Sequence, residues 1–397
     1  MRISSLNFLQ GPVESMTRLQ GEVARTQSQL SSGKKLLSPA DDPVAAGRVQ
    51  ELERWLLAAE QQQRNADSLG GRLVLQESAL ADASDLLQRM QELGVQGGNG
   101  ALDESLRRML AIEVRSRAEQ LLQVANRRSP SGEYLFAGAR TGTEPFGRQG
   151  GAVAYAGDEQ LRTVEIAPGQ RIADGFAGSE LFMAVPRGNG QFALRAAATN
   201  AGTGVLGAGS VVSPAAWVPG DYEIEFTAAG AWEARDGTGS LVASGNRAAG
   251  QAIEFRGIRV ALTGDPVVGD RFIVEGGGTE DLFATVDRLA RALEAPVGDA
   301  AQRTAVANEL NAVTRQLGQS LDHLLNARSV VGVRLGAIDY AQASRAALKE
   351  DVTTSLSGLR DADYAELITR LNAQMNGLQA AQQSYARIAR LSLFDYL

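Results

Sequence analysis

A seven-residue apolar repeat runs through both halves of this 397-residue chain and restricts its possible folds more than any other feature. Alternating steps of three and four from Leu52 land on Trp55, Ala59, Gln62, Ala66, Leu69, Leu73, Gln76, Leu80, Ala83, Leu87, Met90 and Gly94. Ten of these thirteen positions are apolar, a spacing that suits a helix with one packed seam and suits no strand. A second run visits Val306, Leu310, Val313, Leu317, Ser320, Leu324, Ala327, Val331, Arg334, Ile338, Ala341, Arg345, Leu348, Val352, Ser355 and Leu359, and twelve of its sixteen positions are apolar. At about 1.5 Å per residue, a helix of about 50 residues is roughly 75 Å long, far beyond the usual globular helix. Long helices paired as rods are therefore expected.

The outermost segments carry the same pattern on a smaller scale, with Met16, Leu19, Val23, Thr26 and Leu30 near one end and Ile368, Leu371, Met375, Leu378, Gln382, Tyr385 and Ala389 near the other. Each makes a narrow stripe that is unstable alone in water, so the two ends serve each other or neighbouring subunits. Leu19, Val23, Leu30, Leu371, Met375, Leu378 and Tyr385 are the candidate subunit-interaction residues. They are expected to be unpaired and mobile in the free chain and to order on assembly.

Helix punctuation fits this layout. SPADDP at 38–43 offers Asp41 or Asp42 as an N-cap with Pro43 in the first helical position, and Gly11-Pro12 reads as a similar opening for the first helix. GVQGGNG at 94–100 stops the second helix. A third is expected from about Ala101 to Arg128, with Leu102, Leu106, Leu110, Val114, Leu121 and Ala125 on one side, ending at Ser129-Pro130.

Between about Gly142 and Gly278 glycine rises, heptads vanish, and short alternating runs appear between turn signals. DYEIEF at 221–226 puts Tyr222, Ile224 and Phe226 on one face. QAIEFRGIRVALTGDP at 251–266 reads as two strands broken at Arg256-Gly257, followed by RFIVE at 271–275. The fold class is multi-domain α+β: long antiparallel coiled-coil helices from both termini with an inserted antiparallel β domain. Residues 1–40 and 360–397 form the terminal helical segment, 41–141 and 279–359 the long-helix rod, and 142–278 the β insert. Such an insert requires its first and last strands to lie close together.

Chemistry is sparse. A net charge of −7, with 39 Lys and Arg against 46 Asp and Glu, argues against a nucleic-acid or acidic-membrane surface. The absence of Cys excludes disulfides and thiolate chemistry. No window reaches eighteen uninterrupted apolar residues, and the start MRISSLNFLQGPVESM lacks the apolar core of a secretory signal, so export by another route is expected. GTGVLG at 202–207 matches the dinucleotide-turn expression, but Pro214 and Pro219 interrupt any helix after it, and it reads as a glycine-rich β-domain loop. The single histidine, His323, sits beside the seam position Leu324 with no local HxxxH or HExxH grouping, and reads as a packing residue. Glu223 and Glu225 share a strand face but alternate with apolar neighbours, as solvent-facing residues do. Arg334 and Arg345 in the second seam either fix register or mark where the seam turns outward. No catalytic, cofactor-binding or metal residue emerges, and a non-enzymatic structural protein is expected.

With the layout in hand, LSSGKKLLSPADDPVAAGRVQEL at 30–52 resembles the N-terminal signature shared by flagellins and flagellar hook-associated proteins. SGEYLFAG at 131–138, LDHLLNARSVVGVRLGAID at 321–339 and the stretch from Leu359 to the closing LSLFDYL are similar to the hook-associated protein 3 branch, with flagellin as the alternative. The resemblance implies a secreted structural subunit at the junction between hook and filament. Its implied partners are hook-associated protein 1, flagellin, copies of itself in a ring and a flagellar type III export chaperone, and it implies no cofactor and no membrane insertion.

Overall fold

A computed structural model describes the backbone of residues 5–100 and 102–391 and the side chains of 10–100 and 102–387. The closing LSLFDYL beyond Leu391, Ala101 and the side chain of Ala389 lie outside the described residues. Among the described residues there are six α-helices: α1 (Ser5–Ser32), α2 (Pro43–Gly97), α3 (Glu104–Ala125), α4 (Leu282–Glu294), α5 (Ala300–Arg360) and α6 (Tyr364–Leu391). The chain forms two compact units, one from 1–64 with 340–397 and one from 65–339, so the division falls inside α2 and α5.

The heptad reading of α2 holds over most of its length: Ala59, Ala66, Leu69, Leu73, Gln76, Leu80, Ala83, Leu87 and Met90 are buried, while Leu52, Trp55 and Gln62 are half-buried. On α5 the seam holds at Leu310, Val313, Leu317, Ser320, Leu324, Ala327, Val331, Ile338, Ala341 and Arg345. Leu348 and Ser355 then turn to solvent while Leu356 is buried, so the stripe shifts by one residue at its C-terminal end. The two helices run antiparallel, as contacts of Glu77 with Arg328 (2.7 Å) and of Gln91 Nε2 with the Thr314 carbonyl (3.5 Å) show in the larger unit.

Two local expectations are corrected. Gly11-Pro12 does not open α1, which already runs from Ser5 with Pro12 inside it, so one helical hydrogen bond is lost in its second turn. The third helix starts at Glu104, because the Asp103 carboxylate accepts the Leu106 N–H at 2.8 Å and caps it. Its buried face is Arg107, Ala111, Val114, Leu121, Val124 and Ala125, whereas Leu106 is exposed. Arg107 turns inward because its guanidinium reaches the Ala295 carbonyl at 3.1 Å, a contact made by a distant loop.

Between α3 and α4 the chain makes fourteen strands in five antiparallel sheets. β1 (Phe146–Gln149) and β2 (Ala152–Tyr155), then β3 (Thr163–Ala167) and β4 (Gln170–Ala173), are hairpins. A single π-turn, Ser179–Met183, leads to β5 (Val185–Pro186) and β6 (Phe192–Ala196). β7 (Val205–Val211), β8 (Tyr222–Phe226), β9 (Ala231–Asp236), β10 (Leu241–Asn246), β11 (Ile253–Phe255), β12 (Ile258–Thr263), β13 (Arg271–Gly276) and β14 (Thr279–Glu280) complete the set. One sheet has the order β10-β9-β8-β13-β6 and another β11-β12-β7, and their facing residues, among them Phe192, Leu206, Ile224, Phe226, Val260 and Phe272, form one sandwich core. The Arg256-Gly257 break is a two-residue hairpin whose residues have φ 47 and 78, the left-handed pair of a type I′ turn.

The hairpins β1–β2 and β3–β4 are not part of that sandwich. Phe136, from SGEYLFAG, and Phe146 each meet Phe182 edge-on at 5.5 Å, and Phe283 of α4 packs against Phe146 at 5.4 Å. β5 pairs with β14 through Val185↔Glu280 and Pro186↔Thr279, so the sandwich hangs from a two-stranded neck.

Candidate assembly surface

In the smaller unit, α1 and α6 pair with each other. The candidate residues Leu19, Val23, Leu30, Leu371, Leu378 and Tyr385 are all half-buried, while Met375 stands outside the seam, 50% exposed. Gln374 takes the place that spacing alone offered to Met375: the Thr26 hydroxyl, itself buried, lies 2.8 Å from Gln374 Oε1 and 3.0 Å from the Glu22 carbonyl. The α6 stripe therefore runs Leu367, Leu371, Gln374, Leu378, Ala381 and Tyr385. Both three- and four-residue steps preserve a heptad, so only a partner decides between 374 and 375. Among the described side chains of α1 and α6, Thr26, Gln29 and Leu367 alone are buried.

The two loops that end these helices are stitched together by backbone. Lys34 and Asp361 form an antiparallel bridge, Lys35 N–H donates to the Arg360 carbonyl at 2.8 Å, and Ala362 N–H donates to the Gly33 carbonyl at 3.0 Å. Gly33 holds φ +67, and a Cβ there would sit 2.7 Å from the Tyr364 hydroxyl. Of the two aspartates offered as caps, Asp42 accepts the Ala45 N–H at 2.9 Å and caps α2. Asp41 instead accepts the N–H groups of Leu37 and Ser38, which lower its pKa, and binds Arg25 at 2.9 Å.

The two seam arginines of α5 both find partners within the chain. Arg345 is buried and donates to Gln63 Oε1 at 2.8 Å. Arg334, in the larger unit, donates to the Gly175 carbonyl at 2.8 Å and lies over the Phe176 ring at 4.6 Å. Arg345 therefore joins α5 to α2 at one position of the seam, as a register-fixing residue would, whereas Arg334 ties α5 to the segment before the π-turn.

Among the described residues of the larger unit, the side chains weighed as candidate chemistry each have a packing or ion-pair partner. His323 Nε2 meets the Glu180 carbonyl at 3.0 Å and ties α5 to the π-turn. GTGVLG runs into β7 with no helix after it, and the Asp270 carboxylate receives its Gly202 N–H. Glu223 and Glu225 both pair with Arg271, at 3.4 and 3.2 Å. A groove of about 400 Å³ between α3, the β1–β2 hairpin and α4 holds charges that answer one another: Arg115 binds Glu294 at 2.7 Å, Arg148 binds Glu119, and Arg291 binds Asp287. Among the described residues no three His, Asp or Glu side chains are placed to hold a metal ion, and no helix is long and apolar enough to cross a membrane.

Known proteins resemble this chain along its whole length. Residues 3–141 match the bacterial flagellin N-terminal helical region. Flagellar hook-associated protein 3 of Escherichia coli strain K12 is 24% identical over 396 residues, covering 100% of this chain and 99% of the relative. The crystal structure of Xanthomonas campestris FlgL is 36% identical and superimposes with a TM-score of 0.72, covering 77% of this chain and 99% of that one. The flagellar junction protein FlgL from Legionella pneumophila is 29% identical with a TM-score of 0.72, covering 79% and 99%. Similarity to the flagellin Polar flagellin F reaches only 35% of the chain.

Proposed function

Because the chain belongs to the family of flagellar hook-associated protein 3, we propose that it joins the hook, through hook-associated protein 1, to the flagellin filament, as a ring of copies assembled through the paired terminal helices. It is a structural component of the flagellum. Full-length similarity to hook-associated protein 3, against partial similarity to flagellin, favours a junction subunit over a filament subunit.

The thin cover on the α1–α6 seam supports the choice of surface. Leu19, Val23, Leu30, Leu371, Leu378 and Tyr385 are only half-buried in one chain, so each has apolar area left for a neighbour. Met375, half exposed beside the intrachain seam, contributes to the contact between copies. In the free chain the terminal pair opens readily, and assembly closes it. Export takes place unfolded, through the flagellar type III apparatus with its chaperone, and the absence of any cysteine that would need oxidative pairing suits that route.

Amide hydrogen exchange on the free and assembled protein tests this. Residues 5–32 and 364–387 should exchange within minutes in the free chain and be protected after assembly. Strong protection of both helices in the free chain would refute it. Micrographs of a strain lacking the protein decide the site of action: bare hooks with flagellin shed into the medium place it at the junction, whereas short or altered filaments place it in the filament. Restored motility with a chain lacking residues 187–278 would show that the sandwich houses no essential activity.

A further inference from the structure

A cavity of about 30 Å³ lies where β5, β6, β13 and β14 meet α4 and α5, lined by Arg187, Arg195, Glu275, Glu280, Arg288 and Arg315. Three of the four arginines have carboxylates. Glu275 holds Arg187 at 3.1 Å and Arg195 at 3.7 Å, and Glu280 holds Arg288, which also reaches Glu309 at 2.8 Å. Arg315 differs: its Nη1 lies 3.4 Å from the Leu206 carbonyl, its Nη2 is buried with no partner, and burial alone acts on its guanidinium, lowering its pKa. Four guanidinium groups thus face three carboxylates, Glu309 included, and the surplus positive charge belongs to the arginine that no acid contacts.

A water in the cavity would give Arg315 Nη2 an acceptor but no compensating charge, and an uncompensated buried cation costs several kcal/mol. The cavity exceeds the roughly 10–15 Å³ that one small occupant requires. It is too small for a phosphate with its own hydration, and its polar walls suit no apolar guest. We infer that this cavity binds one monovalent inorganic anion of the size of chloride, held by Arg315 Nη2, and that the anion fastens the sandwich to α5. The neighbouring attachments are neutral: Gln316 bridges the Gly188 N–H (2.6 Å) and the Pro186 carbonyl (3.1 Å), and Asn308 Oδ1 accepts the Leu206 N–H at 2.7 Å. The anion is then the only charge-neutralising element of that joint on the Arg315 side.

Thermal unfolding of the full unassembled chain in sodium chloride, sodium bromide and sodium gluconate at one fixed ionic strength tests the site. Chloride and bromide should raise the transition of the larger unit by about 3 °C over gluconate at ten-fold saturation, with a hyperbolic dependence on halide. Arg315→Met, which keeps the length of the side chain and removes its charge, should abolish the difference between salts. Equal melting in all three salts, or a halide effect that survives in Arg315→Met, would overturn the inference. If that variant does not fold, diffraction from bromide-soaked wild-type crystals decides: an anomalous peak within hydrogen-bond distance of Arg315 Nη2 supports the site, and water or nothing in the cavity overturns it.

Discussion

The Thr26–Gln374 pair offers a sharp test of how α1 and α6 find their register. Thr26 is 3% exposed, and its hydroxyl has two acceptors within reach, Gln374 Oε1 at 2.8 Å and the Glu22 carbonyl at 3.0 Å. Thr26→Val keeps the shape, removes the donor and leaves the half-buried Gln374 amide short of a partner, which costs about 1 kcal/mol. Gln374→Leu leaves the Thr26 hydroxyl its Glu22 acceptor and adds apolar contact, so it is close to neutral. The double variant removes both hydrogen-bonding groups together, leaves neither unpaired in the seam, and gains a Val–Leu contact. It should therefore be more stable than the sum of the single variants by about 1–2 kcal/mol. Native-state hydrogen exchange across α1 and α6 reads this directly, since about 1 kcal/mol alters the open fraction about five-fold. Loss of this polar pair should also permit one-turn slippage, visible as spin-label distances between the helices that split into two populations. Additive single effects, or a double variant with one sharp distance, would refute a register role for the pair.

Other expectations follow from burial, backbone and charge. Leu80→Ala opens a void at a fully buried seam position of α2 and should cost about 3–5 kcal/mol in urea unfolding of the larger unit. Gly132 and Gly138 both have positive φ, but a Cβ at Gly132 meets nothing within 4 Å while one at Gly138 collides with the Asp158 carbonyl, so by urea unfolding Gly132→Ala should cost about 1 kcal/mol and Gly138→Ala at least twice that. Asp281 caps α4 through the Phe283 N–H at 2.7 Å, yet burial raises its pKa, so its contribution to stability is fully present below the ordinary carboxylate value and is lost as pH rises through the raised one. Asp281→Asn should then gain stability relative to wild type as pH climbs through that window, while Asp281→Ala, without a cap, should lose about 1 kcal/mol below the ordinary carboxylate range, a deficit that shrinks as pH rises through the same window in the same denaturation series.

What was legible in the sequence depended on how local the deciding contact was. The α2 seam from Ala59 to Met90 and the α5 seam from Leu310 to Arg345 could be read because each helix turns the same stripe to its neighbours over many turns. The strands at 222–226, 253–255, 258–263 and 271–276 could be read because one wet face makes their residues alternate. Elsewhere the deciding partner was remote in sequence. Arg107 takes an inward place on α3 because of the Ala295 carbonyl, and Gln374 displaces Met375 because of Thr26. α4 is short and follows a run of glycines, so its stripe of Leu282, Val286, Leu289 and Leu293 is too brief to stand out as a separate helix. Of the candidate surface, the stripe positions were visible from spacing, but the joint at Gly33 and Asp361 was not, because it is built from backbone hydrogen bonds that leave no side-chain signature.

The neck formed by β5 and β14 has a consequence for descent. The chain departs at Pro186 and returns at Thr279 on paired strands, about 5 Å apart. To the helices, the segment between is a loop with its ends already joined, and beyond the neck it meets α5 at Asn308, Arg315 and Gln316, so a mutation that rewrites it must keep or replace those few contacts while the rest of both seams is left alone. The sandwich and the helical frame can thus carry different histories. Selection for assembly acts on the frame, while the cassette is free to be exchanged or rewritten, and comparisons of whole chains would average two unequal rates of change.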